Sequence, residues 1–269
     1  MNPLRTLGLI TALLLAACGA PPDAASPPKA DNRLAMAEAM FTERCKKAGV
    51  FIHRTAENVE GVFLLKVRPE NEDPDFDDQF RLNDPYGRDL GGDGYIMTFL
   101  YGRDAQGSIT ERNIVKPGYR YVDAINPTDS KRYRYKGAIK EVEVKSSILI
   151  GGTGNTFKTT KFVLDKTPAP DPSPRYGVTY EDISTPEERE HWIAGSSLKV
   201  IDLQTNEVMA ERIGYMMDHG QGNNSGGRSP WLLAANTACP TFGPRHGSGW
   251  QTFQARKLTE KVLKIASGE

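Results

Sequence analysis

Apolar residues first recur at helical spacing. Leu34, Ala37, Met40, Phe41 and Ala48 mark one side of a helix over residues 32–47, with Asp31 placed to cap it and Gly49 to end it. Cys45, four residues after Phe41, falls on that apolar side. Strand patterns then dominate. Residues 50–55 and 59–67 flank the turn candidate Ala56-Glu57-Asn58 and read as a hairpin. Residues 70–94 are acidic and rich in Pro, Gly and Asp, which predicts a long loop. Strands are expected at 95–101, 108–115, 119–125 and 131–150, with Gly137 a bulge in the last, and a Gly-rich turn at 151–155 leads back into 157–164. Pro168, Pro170, Pro172 and Pro174 make a stiff connector.

The C-terminal half begins with a helix start. Thr185 can accept from unpaired backbone N–H groups, Pro186 suits the first helical position, and Glu188 can close a capping box; Gly195 should end this helix. Residues 198–203 and 208–217 read as a hairpin around Gln204-Thr205-Asn206-Glu207. A Gly/Asn-rich loop over 218–229 follows, and a last helix is expected over 248–266, with Trp250, Phe253, Leu258, Val262 and Ile265 on its apolar side and Ser248 as its cap. Adjacent strands without long helices between them argue against a doubly wound fold. The expected class is α+β: a mainly antiparallel β body with an N-terminal and a C-terminal helix packed on it, forming a single β-rich domain over residues 31–269.

The first 30 residues follow a different pattern. Arg5 precedes an almost wholly apolar run over residues 7–15, and small residues come next, the arrangement of a secretory signal. The run is too short to cross about 30 Å of hydrocarbon, which needs ~20 residues. Leu15-Ala16-Ala17-Cys18 closes it. This motif resembles the lipobox of bacterial lipoproteins, and the resemblance covers only the first 18 residues. It implies cleavage after residue 17, acyl chains on Cys18 and, because Gly19 rather than Asp follows, the outer membrane with the protein on its periplasmic face. Residues 18–30 then form a lipidated Cys and a Pro-rich tether, able to hold the body roughly 35 Å from the lipid.

With Cys18 assigned to lipid by that resemblance, Cys45 and Cys239 are left as an even pair, which an oxidising compartment favours joining as a disulfide. Charge adds little: 34 basic and 34 acidic residues balance, so no nucleic-acid footprint is expected.

Candidate chemistry is sparse. Asp73, Asp75, Asp77 and Asp84 fit part of an EF-hand spacing, but Asp78 occupies the position that needs Gly, so a solvated acidic loop is the better reading and no metal or cofactor is expected. Gly151-Gly152-Thr153-Gly154 lacks the Gly-Lys-Ser/Thr of a phosphate loop. His53, His191, His219 and His246 form no close ligand pair, and Gly247-Ser248-Gly249 is too short for a nucleophile elbow. In the strand at 131–136, Arg132, Arg134 and Lys136 share one face, with Tyr133 and Tyr135 on the other. That face is a candidate for contact with an acidic partner, although a one-sided sheet needs the same alternation. Asp218 and His219 in the Gly/Asn loop are further interaction candidates. The expectation is a lipid-anchored periplasmic binding protein of the bacterial envelope without catalysis, attached to the membrane through Cys18 and to a protein partner through its surface. Two alternatives stay open: an immunity-type lipoprotein that neutralises a periplasmic toxin, and an envelope hydrolase of unknown class.

Overall fold

The computed structural model describes residues 30–70, 76–102, 116–145, 154–244 and 247–266. The segment expected as a signal, Cys18, all but the last residue of the expected tether, the strand expected at 108–115, most of the Gly-rich turn, Asp73, Asp75 and His246 lie outside the described residues; Ala30 already belongs to the first helix.

The architecture is mixed α/β with a large, antiparallel-rich sheet. Helix α1 (Ala30–Cys45) leads into β1 (Gly49–Ile52), β2 (Ala56–Val59) and β3 (Gly61–Leu64). Next come α2 (Gly92–Leu100), the short β4 (Tyr101–Gly102) and β5 (Lys116–Pro117), then β6 (Tyr121–Ile125), β7 (Arg132–Lys145), β8 (Thr156–Pro168) and β9 (Tyr176–Asp182). Helix α3 (Pro186–Glu190), β10 (Ile193–Asp202), β11 (Glu207–Met217), α4 (Pro230–Ala234), α5 (Gln254–Val262) and β12 (Leu263–Ile265) complete the chain. Eight strands form one sheet in the order β1-β11-β10-β9-β3-β6-β7-β8. It is not wholly antiparallel: β3 runs parallel to both β6 and β9, and outside this sheet β12 runs parallel to β2.

Several sequence expectations change for identifiable reasons. The hairpin expected at 50–67 does not form; β1 pairs with β11, whereas β3 sits between β6 and β9. Val62 and Leu64 are buried, and β3 is covered along most of its length, which suits an inner strand with parallel neighbours. Residues 95–101, expected as a strand, belong mostly to α2, which buries Tyr95, Ile96, Phe99 and Leu100. A short apolar run carries no period that separates a buried helix from a strand. Gly137 makes no bulge, because the β7–β8 register runs through it unbroken; a Cβ there would meet the Phe162 ring at 2.0 Å. Gly195 does not end α3, which stops at Glu190. Trp192 turns the chain with φ of 55°, and Gly195 lies inside β10 under the Tyr215 ring. The last helix is shorter than expected and Ser248 is not its cap; α5 starts at Gln254 and gives way to β12.

Other expectations hold. The β10–β11 hairpin forms across its full length. The capping box at α3 is complete, with Thr185 Oγ1 accepting from Glu188 N at 3.1 Å and Glu188 Oε2 accepting from Thr185 N at 2.7 Å. The buried Glu188 also takes an ion pair from Arg44, which ties α3 to the last turn of α1. Cys45 and Cys239 are joined as a disulfide, Cα–Cα 5.6 Å, over a sequence separation of 194.

The two faces of β11 are covered differently. Tyr215 and Met217 pack with Ala37 of α1 on one face, and Ile213 lies against them. Alternation turns Ala210, Arg212, Gly214 and Met216 to the other face, where α2, α4 and α5 build the main core.

Candidate functional site

Helix α5 carries two opposed faces in nine residues. Ala255, Leu258, Thr259 and Val262 are buried, so Lys257 and Lys261, one helical turn apart, are left on the outer side. Lys264, just beyond in β12, continues their line. Its N-terminus has no cap of its own, since Phe253 precedes it at φ 64°. The cap comes from across the fold: Asp89 Oδ2 accepts from Ala255 N at 3.2 Å.

Beside this helix runs an open groove of about 440 Å³, lined by Lys257, Lys261 and Lys264, by Arg212 from β11, and by Pro240 to Phe242 on the far wall. Val50 of β1 also lines it. The disulfide fixes the far wall. Cys239 exchanges backbone hydrogen bonds with Tyr215 at 2.8 and 2.9 Å, so the following Pro240 is held beside β11.

Arg212 is the deepest cation, only 5% exposed. Its guanidinium lies 5.4 Å from the Tyr86 ring centre and 5.2 Å from that of Phe242. It donates to Pro240 O at 3.3 Å and to Gln254 Oε1. Its Nε has no hydrogen-bond partner among the described residues. None of Arg212, Lys257, Lys261 and Lys264 has a carboxylate within 4.0 Å among the described residues. The one carboxylate in the lining, Glu260, stands 3.6 Å from Arg256, which is on the same helix. Burial, then Arg256, Arg212 and Lys261, hold the Lys257 amine below the ordinary lysine range against the opposing pull of Asp89. Four cations against one lining carboxylate therefore leave a net positive charge in a concave, partly desolvated place, which attracts anions.

A second polar cluster supports α5 from beneath. Arg68 is 7% exposed, stacks on Tyr180 at 3.4 Å and donates to Asp84 at 2.5 Å. Asp84 also accepts from Ser196 Oγ at 2.9 Å and from Gly87 N. Burial raises the Asp89 carboxyl above the ordinary range, against the opposing pull of Arg68 and of the N–H groups at the start of α5. Burial likewise pushes the nearby Tyr86 up to about 12.

The residues singled out from sequence lie elsewhere. Arg134 makes two hydrogen bonds to the buried Asp123, at 2.7 and 3.1 Å, and stacks on Tyr121. Arg132 reaches the same carboxylate at 4.0 Å and Asp171 at 2.6 Å. Both guanidinium groups of the basic row are thus engaged within the fold, while Lys136 is exposed. Tyr135 is buried and Tyr133 half-buried, as a one-sided sheet requires. Asp218 is buried and organises its own loop, accepting from Gly220 N, Gly222 N and Arg228. His219 is half exposed, 3.9 Å from Glu38 of α1. Strands β7 and β11 stand near opposite ends of the sheet order, so the structure does not bring these candidates into one site. Asp84, expected in an acidic loop, is the partner of Arg68.

Sequence reading missed the groove. Its one local signal was Lys257, Lys261 and Lys264 at helical spacing; Arg212 and Val50 reach it only through strand pairing. Among the described residues, no group of three His, Cys, Asp or Glu side chains is placed to hold a metal ion, and no helix is long and apolar enough to cross a membrane. In comparisons with protein-family models, with curated proteins and with solved structures, nothing matches the chain.

Proposed function

We propose that the chain is a binding protein of the bacterial envelope. Acyl chains on Cys18 hold it to the periplasmic face of the outer membrane, and the α5 groove takes an anionic group of its partner. It captures and does not catalyse. The observation that carries this reading is the groove itself: Arg212 beside the packed Tyr86 and Phe242 rings, sharing the lining with three lysines, with no carboxylate of the described residues within 4.0 Å of any of the four. Support for the anchor comes from Leu15-Ala16-Ala17-Cys18 after its apolar run. Several acyl chains, at ~0.8 kcal/mol per CH₂, give an anchor that a single chain does not.

The two halves separate in one set of cells. For the anchor, wild-type protein should sediment with membranes and yield an acylated N-terminal peptide, whereas Cys18→Ser should appear in the soluble periplasmic fraction. Unmodified Cys18 in the wild type would end the anchor reading. For the groove, a photo-crosslinking residue at Thr241 should trap a partner in intact cells. Reversing Lys257 and Lys261 to Glu should reduce that capture by about 100-fold, taking each charge contact at ~1–2 kcal/mol, with the melting temperature unchanged. Undiminished capture by the reversed protein would remove the groove from the interface.

A further inference from the structure

Strand β1 ends the eight-stranded sheet, and its outer side meets no strand among the described residues. The register shows which backbone groups face outward. His53 N donates to Met209 O at 2.8 Å, which makes His53, Phe51 and Gly49 the residues whose amides point at β11. The N–H and C=O groups of Val50 and Ile52 therefore point away from the sheet. The side chains along this edge are apolar and open: Val50, Phe51 and Ile52 are 44%, 43% and 43% exposed. The opposite edge, β8, is guarded in the usual way. It carries Lys158, Asp165 and Lys166, and forms cross-strand ion pairs Lys140–Asp165 and Lys158–Glu141. One edge of the sheet is thus protected by charge, and the other is bare among the described residues.

The bare edge adjoins the basic groove, because Val50 lines both. We propose that β1 is a docking strand: an extended segment of a protein partner, acidic at alternate positions, pairs with its free edge and directs its carboxylates past Val50 into the α5 groove. This rests on the groove being an anion site. Spacing supports the match. Alternate residues of an added strand share a face and stand about 6.6–6.8 Å apart. Lys257 and Lys261, four helical residues apart, are offset by about 6 Å along the axis. The intervening residues of the segment would lie on the Phe51 face, where apolar side chains can cover that ring. A second copy of this chain fits less well, since pairing β1 with β1 would bring two net-positive grooves together.

The test uses the full-length protein in detergent and an acetylated, amidated octapeptide of alternating Glu and Val. Amide hydrogen exchange is read by NMR. Exchange at Val50 and Ile52 should slow by about tenfold or more on binding, while Phe51, already paired, should hardly change. N-methylating the peptide amides that face β1 should abolish that protection, as should Ile52→Pro, which removes an outward donor. Binding that depends on Lys257 and Lys261 but leaves Val50 and Ile52 unprotected would overturn strand addition and leave the groove standing. Protection of these amides in the free protein would show the edge covered already, by the chain itself or, if it rises with concentration, by a second copy; either overturns the proposal. If the groove takes inorganic polyphosphate or anionic vesicles and refuses the peptide, the polypeptide assignment fails alone. If it takes none of them, the groove reading fails with it.

Discussion

Replacing Arg68 by methionine should destabilise the protein by about 3–5 kcal/mol at pH 7, the range found when one partner of a buried ion pair is removed. Methionine keeps much of the stem volume, so the loss is electrostatic. Asp84 is buried with Arg68 as its ion-pair partner, 2.5 Å away. Asp89 has its Oδ1 enclosed and without a hydrogen-bond partner among the described residues, and Arg68 is the main influence drawing its carboxyl toward the charged form. The pH dependence has a definite sign. Burial already raises Asp89 above its unfolded value, so its ionisation works against the fold as pH rises through that raised value. Without Arg68 the carboxyl is raised further, and the deficit of the variant relative to wild type should grow with pH. It should be smallest below about pH 4, where an unfolded aspartate is neutral too. Urea unfolding of both proteins at pH 4, 5.5 and 7 measures this. A loss under about 1 kcal/mol, or one that does not change with pH, would contradict the assignment. Because Asp89 also accepts from the first turn of α5, the same substitution should loosen the groove.

Breaking the Cys45–Cys239 bridge is expected to have a comparable effect. The bridge spans a sequence separation of 194, for which chain entropy gives an upper bound of about 5 kcal/mol. It joins the end of α1 to the strand-like segment beside β11. Among the described residues α1 is otherwise held by Ala37, Met40 and Phe41 against Tyr215 and Met217, by Arg44 on Glu188, and at the surface by Arg33 on Glu190 O and Glu38 near His219. Reduction, or Cys239→Ser, should lower the melting temperature by roughly 10 °C, taking ~2–4 °C per kcal/mol for a body of this size. It should also weaken anion binding, since Pro240 O, just past the bridge, is one of the acceptors that fix Arg212. Thermal melts with and without reductant, with bridge status read by mass, decide the point. An unchanged melt after verified reduction would show that the staple adds nothing.

What could be read from the sequence was local. The α3 capping box needs only Thr185 and Glu188 three residues apart, and it forms. The β10–β11 hairpin needs only two strand patterns and a short turn. Pairing of Cys45 with Cys239 came from counting thiols after a lipobox-like motif. What was missed depends on partners far along the chain. The basic row at Arg132 and Arg134 looked free because its counter-charge, Asp123, lies on β6 and reaches it through the β6–β7 register. The run in α2 gave no period, so its burial on the sheet decided helix over strand. The groove combines a visible lysine spacing on α5 with Arg212, which strand pairing places beneath it. Val50 was assigned to a hairpin with residues 59–67; its pairing with Arg212 instead makes β1 an edge and sets it beside the groove.

The anion site itself is tested most directly by titrating the detergent-solubilised full-length protein with poly-glutamate at two salt concentrations, against the variant with Lys257→Glu and Lys261→Glu. The expected result is saturable binding by wild type that weakens as salt rises, and a loss of about 100-fold in the variant at the lower salt, with both proteins equally folded. Equal affinity of the two proteins, or no binding by wild type at either salt, would contradict it.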